Sequence, residues 1–265
     1  MADPVRVMVN GACGRMGGAV IRLIAEQKDI SLTAALERPG HPYLGQDVGE
    51  VHEFERVGVR VTSELGDADV LIDFSAPASA AARATECAKR GVGMVIGTTG
   101  LDASHMEAIR QASERIPCLH SSNMSLGIAL ATQAVAALAK NLPQHFDVEI
   151  VETHHRHKKD SPSGTALRLA YAISRARDES GPTLTYGRHG MTDERQTGEI
   201  GLHSLRMGEE TGEHRVIFSG PGESIEVRHV ALSREAFARG ALLAARYVHG
   251  RKPGIYDISD VFLPR

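Results

Sequence analysis

Val5-Arg6-Val7-Met8-Val9-Asn10-Gly11-Ala12-Cys13-Gly14-Arg15-Met16-Gly17 is the stretch on which the fold of this 265-residue chain turns. An apolar, β-branched run ends in closely spaced glycines and passes into a helical pattern, the order strand, turn, helix. Such glycines let the backbone approach a pyrophosphate without Cβ clashes, and the helix behind them offers free N–H groups and a positive dipole end. The spacing is Gly-x-x-Gly-x-x-Gly, with Cys13 where the second glycine of the common fingerprint would stand. Taken alone it competes with a turn that merely packs helix on strand. Its context adds to it. Glu37 lies twenty residues past Gly17, after a second apolar run, where an acid can accept from ribose hydroxyls. Arg38 beside it attracts a 2′-phosphate and stacks on adenine, unless it is a plain surface charge. The pair points to NADH or NADPH as cofactor.

Outward from this stretch, strands are predicted at 5–9, 31–36, 57–61, 69–74 and 92–96, and helices from the glycine turn to about 27, at 77–90 and at 102–114. Pro77 and Asp102 are start signals for the latter two. Alternating strands and helices predict an α/β, Rossmann-like domain with a mostly parallel sheet. Residues 38–56 show no clear period, as long functional loops often do not. Gly97-Thr98-Thr99-Gly100 closes an apolar strand at the carboxyl edge of that sheet, where open α/β sheets hold ligands; it is otherwise a tight turn. After an apolar helix starting near Met124 the pattern changes. A strand at 147–151, a helix at 163–177 and strands at 199–207, 214–219 and 224–230, separated by turns at 208–212 and 220–222, predict consecutive hairpins. This is a smaller α+β domain with a largely antiparallel sheet, and a helix at 234–248 returns to the first. The expected division is 1–126 with 236–265 for the dinucleotide and 127–235 for substrate.

Composition narrows the class. Hydrophobic residues make up 42%, charged residues 24% and aromatics 4%, with no Trp, so an Ala/Val/Ile/Leu core suits buried parallel strands. A net charge of -3 argues against nucleic acid as partner. Cys13, Cys87 and Cys118 form no paired framework, the pattern of reduced cytoplasmic thiols. Met1-Ala2-Asp3-Pro4 has no signal-type features, and the longest apolar stretch, 128–139, is interrupted by Thr132 and Gln133 and falls short of the ~18 residues a membrane span needs. No membrane partner is expected.

The densest chemistry is Glu152-Thr153-His154-His155-Arg156-His157-Lys158-Lys159-Asp160, followed by Ser161-Pro162-Ser163-Gly164-Thr165. Consecutive bases raise one another's energy, and an anionic ligand relieves that strain. Ser163-Gly164-Thr165 opens a helix, so hydroxyls and N–H groups converge where a carboxylate can sit. A dicarboxylate would meet the helix start with one group and the bases with the other. Histidine donates a proton near neutrality and lysine is a compact cation, which makes His154 and Lys158 the catalytic candidates for reducing an imine-type ring. A solvated basic loop is one competitor. A zinc site of His154, His155 and His157 is another, but it lacks HExxH, a Cys ligand and a carboxylate set, and no metal is expected.

Gly11-x-x-Gly14-Arg15-Met16-Gly17, Glu37-Arg38, Asp73-Phe74-Ser75, Gly97-Thr98-Thr99-Gly100, Ser122-Asn123-Met124-Ser125 and the 152–165 stretch, in that order, resemble the 4-hydroxy-tetrahydrodipicolinate reductases of the dihydrodipicolinate reductase family. The resemblance runs from about Val5 to Asp257. It implies NADH- or NADPH-dependent reduction of the hydroxylated cyclic imine dicarboxylate, with loss of water, in diaminopimelate and lysine biosynthesis. It also implies a homotetramer built through the second domain's sheet. Carried over by motif, Gly11, Gly14, Arg15, Met16, Glu37, Arg38, Gly97, Thr98, Thr99, Ser122, Asn123 and Met124 bind cofactor, while His155, Lys158, Ser163, Gly164 and Thr165 bind substrate. His154 is then the proton donor and Lys158 its catalytic partner. Ala76 stands where some members carry a basic residue, and Met124 where Phe is common. Another NAD(P)-dependent reductase of small acids, such as an amino-acid dehydrogenase, would turn over a plain keto acid; a dinucleotide sensor would bind without turnover.

Overall fold

The computed structural model describes residues 3–262. In chain order the elements are β1 (Val5–Asn10), α1 (Arg15–Ala25), β2 (Ile30–Leu36), α2 (Val48–Val51), β3 (Val61–Thr62), β4 (Val70–Asp73), α3 (Pro77–Arg90), β5 (Gly93–Ile96), α4 (Ala103–Ser113) and β6 (Pro117–His120). There follow α5 (Leu126–Asn141), β7 (Asp147–His154), α6 (Gly164–Ala176), β8 (Thr183–Tyr186), β9 (Glu199–Arg206), β10 (Glu213–Gly220), β11 (Glu223–Val230), α7 (Glu235–Val248) and β12 (Gly254–Tyr256). Two compact units result: Met1–Ser125 with Arg234–Arg265, and Leu126–Ser233.

The first unit holds a sheet in the order β12-β6-β5-β4-β1-β2-β3, parallel at every pairing. Every residue of β4 and β5 is buried, as strands covered on both faces must be. α1 buries Val20, Ile21, Leu23 and Ile24 at helical spacing. α3 carries Pro77 in its first turn, and α4 is capped by Asp102, whose carboxylate accepts from Ser104 and His105 N–H. The strand order reverses between β1 and β4, leaving a crevice at their carboxyl ends where such sheets take ligands. The Rossmann-like reading is correct.

Local differences have local causes. The strand expected at 57–61 is reduced to Val61–Thr62. The preceding chain is instead gathered around Asp47, 5% exposed, whose carboxylate accepts from Gly49, Val57 and Gly58 N–H at 2.9, 3.2 and 2.9 Å. The aperiodic 38–56 segment is thus ordered by one acid and the single-turn α2. β6, β8 and β12, of 4, 4 and 3 residues, were not anticipated, being too short for their alternation to register.

The second unit's sheet runs β11-β10-β7-β9-β8. β10 and β11 form the predicted hairpin, but β9 and β10 do not. β7 lies between them, antiparallel to β10 and parallel to β9, which is itself parallel to β8. The expectation of a largely antiparallel sheet is therefore corrected to a mixed one: the 207–212 connection carries the chain across β7 rather than folding back on β9. α5 and α6 cover one face, burying Val135, Ala139, Leu169 and Ile173 against Val148, Ile150, Ile200, Val216 and Phe218.

Candidate active site

At the end of β1 the backbone itself is the feature. Gly11 has φ +76°, and a Cβ there would lie 2.4 Å from the Phe74 carbonyl oxygen. A Cβ on Gly17 would lie 2.3 Å from the Gly11 oxygen. Neither position admits a side chain without moving a strand end or α1. Gly14 is the N-cap of α1 and supplies no side-chain cap, so the helix start faces solvent with donors and a positive dipole end. Arg15 is exposed and Met16 half-buried beside it. The Glu37 carboxylate accepts from Cys13 N–H at 3.1 Å and Arg38 N–H at 3.3 Å, which draws the acid to the glycine turn; Arg38 is exposed.

The neighbouring strand ends are tied by a residue that sequence reading did not single out as a site member. Asp73, fully buried, accepts from Asn10 Nδ2 at 2.6 Å, Thr98 Oγ1 at 2.5 Å and Ser75 Oγ at 3.0 Å. It thereby joins the ends of β1, β4 and β5. Burial pushes its carboxyl up, against those hydrogen bonds. Thr98 Oγ1 also accepts from Ser75 N–H at 2.9 Å, so the Thr98 hydroxyl is turned inward while Thr99 is exposed. Gly97 packs under the Phe74 ring. In the turn after β6, Ser122 is exposed, Asn123 Oδ1 accepts from Ser125 N–H at 2.9 Å, and Met124 is buried.

In the second unit the side chains carry the chemistry, and strand alternation places them. Side chains two apart share a face of a strand. Val148 and Ile150 of β7 enter the apolar core, so Glu152 and His154 continue on that face past the helices. Across the sheet Glu152 pairs with His214 and Ser204, and His154 with Arg206; His214 pairs with His229. A polar row thus begins where the apolar one stops.

Glu152 is its centre, fully buried. Arg206 forks onto it with Nη2 to Oε1 at 2.8 Å and Nη1 to Oε2 at 2.9 Å. Ser163 N–H donates to Oε1 at 3.1 Å and His154 Nδ1 to Oε2 at 2.5 Å. Burial alone would push the carboxyl up; hydrogen bonds from His154, Arg206 and Ser204 outweigh it and hold the group well below the usual carboxylate range. An ionised acceptor at Nδ1 keeps a hydrogen on that nitrogen, which leaves Nε2 for any other partner. Arg206 also donates to the Asp160 carbonyl oxygen at 2.7 Å, anchoring the basic loop to β9.

Ser163 caps α6: its Oγ accepts from Ala166 N–H at 3.1 Å and bonds His214 Nε2 at 2.9 Å. His214 is 4% exposed, and burial, with His154 at 5.2 Å edge-on, pushes its imidazole down to about 3. It is a neutral partner. Gly164 is exposed at the helix start and Thr165 largely buried. Lys158 pairs with Asp160 at 2.8 Å, and burial is outweighed by that lysine in holding Asp160 low. His155 is half-buried, while His157 is exposed and lies 3.8 Å from Glu209. The loop therefore splits: His154 points inward to Glu152, and His157 points out. Glu152, Arg206 and His214 were missed as site members. For Glu152 and His154 the signal was the alternation 148, 150, 152, 154, visible once β7 is continued to His154; for Arg206 and His214 there is none, because cross-strand register brings them in.

Residues 5–124 match the family described as dihydrodipicolinate reductase, N-terminus, and residues 127–262 its C-terminus. A Nitrosomonas europaea protein named 4-hydroxy-tetrahydrodipicolinate reductase is 44% identical over 97% of this chain and 98% of its own. One of the same name from Rhodopseudomonas palustris is 45% identical over 98% of both. Among solved structures, the dipicolinate-bound dihydrodipicolinate reductase of Paenisporosarcina sp. TG-14 shares the fold, with TM-score 0.76, 24% identity and coverage of 98% of this chain and 100% of that one. No helix among the described residues is long and apolar enough to cross a membrane. Both halves match in order and the relatives align end to end, so the chain belongs to the dihydrodipicolinate reductase family and is an oxidoreductase with a Rossmann domain for a pyridine nucleotide.

Proposed function

We propose that the chain reduces 4-hydroxy-tetrahydrodipicolinate to tetrahydrodipicolinate, with loss of water, in diaminopimelate and lysine biosynthesis. The observation that carries this is His154: its Nδ1 hydrogen is committed to a buried, ionised Glu152, next to a basic loop and the start of α6. A proton donor whose Nδ1 is fixed by a carboxylate, set near cations and helix N–H groups, suits an anionic imine.

A dinucleotide suits the first unit, because the two glycines that admit no Cβ and the uncapped α1 are what a pyrophosphate requires. Gly11, Gly14, Arg15 and Met16 would hold it, Glu37 the ribose, and Arg38 a 2′-phosphate or the adenine face, so both NADH and NADPH would serve. Gly97, Thr98, Thr99 and Ser122, Asn123 and Met124 would line the nicotinamide end. The bound dinucleotide supplies the hydride.

His155, Lys158, Gly164 and Thr165 would hold the carboxylates. Ser163 serves by capping α6 and aiming its first N–H groups, since its hydroxyl is committed to His214 and Ala166. Lys158 would exchange the Asp160 carboxylate for the substrate's, and His154 Nε2 would deliver the proton to the ring nitrogen as electron density arrives there. The sheet face away from the helices carries Val151, Leu205 and Ile217 by strand alternation, among the pairs Arg215–Glu226 and Arg228–Glu213; a homotetramer assembled through it suits that mix. Three free thiols suit the cytoplasm.

The test follows NAD(P)H absorbance while substrate is generated in situ from pyruvate and aspartate semialdehyde. Absorbance loss that requires both precursors and the condensing enzyme supports the reading. Turnover of a plain keto acid instead would replace it with an amino-acid dehydrogenase, and binding without turnover with a sensor.

A further inference from the structure

Beside the glycine turn, Cys13 and His41 bring two donor atoms to Glu37, the acid assigned above to the ribose. Cys13 precedes the α1 cap, Glu37 follows β2, and His41 stands four residues further in the loop. Their thiol, carboxylate and imidazole donors all lie within 4.8 Å of one another, and all three residues are half-buried. Zinc bound at about 2.3 Å from sulfur and about 2.0–2.2 Å from nitrogen and oxygen sets its ligand atoms roughly 3.5 Å apart. Side-chain shifts of about 1 Å would close the set. Backbone anchors hold two of the three: Cys13 N–H is already bonded to Glu37 Oε1 at 3.1 Å. Among the described residues the His41 ring accepts a long 3.4 Å contact from Tyr43 N–H at Nδ1 and tilts against the Tyr43 ring, a weak hold against reorientation.

We propose that Cys13, Glu37 and His41 form a three-ligand site for a thiophilic divalent cation of the zinc class, with the fourth position left to water. The donor set selects the ion. Sulfur and imidazole favour zinc or its soft neighbours over magnesium and calcium, which demand oxygen. If Glu37 is the ribose acceptor, a consequence that rests on the cofactor assignment above, the cation and the dinucleotide compete for one carboxylate.

Nucleotide-free protein is titrated with zinc alone in competition with a chromophoric chelator, for the parent, Cys13→Ser and His41→Gln, with thermal unfolding used to verify that each variant is folded. One zinc per chain is expected. Losing an outlying hydrogen-bond partner of a metal ligand costs about 10–100-fold in affinity, so loss of a direct ligand is expected to cost on the order of 100-fold or more. Cobalt in place of zinc should show a thiolate charge-transfer absorption that Cys13→Ser abolishes. Zinc affinity untouched by both substitutions, or equal affinity for magnesium, overturns the site. In a second arm NADH affinity is measured with zinc present. A weakening that Cys13→Ser relieves supports the shared carboxylate, whereas zinc bound without effect on NADH upholds the metal site and overturns the ribose role of Glu37.

Discussion

In the proposed function the turn after β1 and the end of β7 solve the same problem, holding an anion, with different materials. The first is backbone: Gly11, Gly17 and an uncapped α1, where any Cβ strikes a carbonyl at 2.3–2.4 Å. The second is side chains: a buried Glu152 shared by His154, Arg206 and Ser163 N–H, with Lys158 held on Asp160 nearby. A backbone site does not depend on side-chain protonation but is intolerant of volume. A side-chain site tolerates some volume but depends on every proton and charge. The two should therefore fail in different ways.

The largest expected failure is at the charged end. Lys158→Ala should lower turnover by a factor on the order of 10²–10⁴, the scale of a positioned acid–base group, with NADH affinity unchanged. Steady-state kinetics alongside fluorescence titration of NADH would check it, and wild-type turnover would remove Lys158 from the chemistry.

Acid should undo the second unit first. His214 is pushed from 6.5 down to about 3, so between those values the unfolded chain takes up a proton that the folded one refuses. Stability then falls as pH falls through that window, by a few kcal/mol in all. Glu152, held low, adds to the loss below the ordinary carboxylate range, where only the unfolded state is protonated at first. Urea midpoints from pH 7 to 4 should show this slope, and His214→Phe should flatten it. A slope unchanged by that substitution would locate the acid sensitivity elsewhere.

The backbone site breaks on volume. Gly17→Ala must move α1 from the Gly11 carbonyl, costing about 1–3 kcal/mol as overpacking does and weakening NADH with it; calorimetric unfolding reads the first and titration the second. The smallest effect belongs to Glu37→Ala, which should weaken NADH about tenfold, the loss of a charged hydrogen bond, and NADPH less. Equal weakening would discard the ribose role.

How much of this was legible follows from the range of each signal. The β1–α1 turn, α3 and the β10–β11 hairpin rest on residues adjacent in the chain, and periods of 2 and 3.6 announce them. β9 was mispaired because pairing is not local: nothing in 199–206 reveals that β7 rather than β10 is its neighbour. Asp47 ordering its loop and Asp73 tying three strand ends were equally silent, since Asp47 acts on backbone further along the chain and Asp73 on the Asn10 and Thr98 side chains across the sheet. At the candidate site crowding marked the basic stretch, and His154 and Lys158 were picked out of it by their acid–base chemistry and by the family resemblance. Arg206 and His214 arrive through register, 54 and 51 residues from Glu152 and Ser163.

The most direct trial of the account is kcat measured separately from KM for His154→Gln with the in situ substrate. Proton delivery from Nε2 predicts a kcat lower by on the order of 10²–10⁴, with KM and NADH affinity within a few fold of the parent. A variant that turns over at the parental kcat would contradict it.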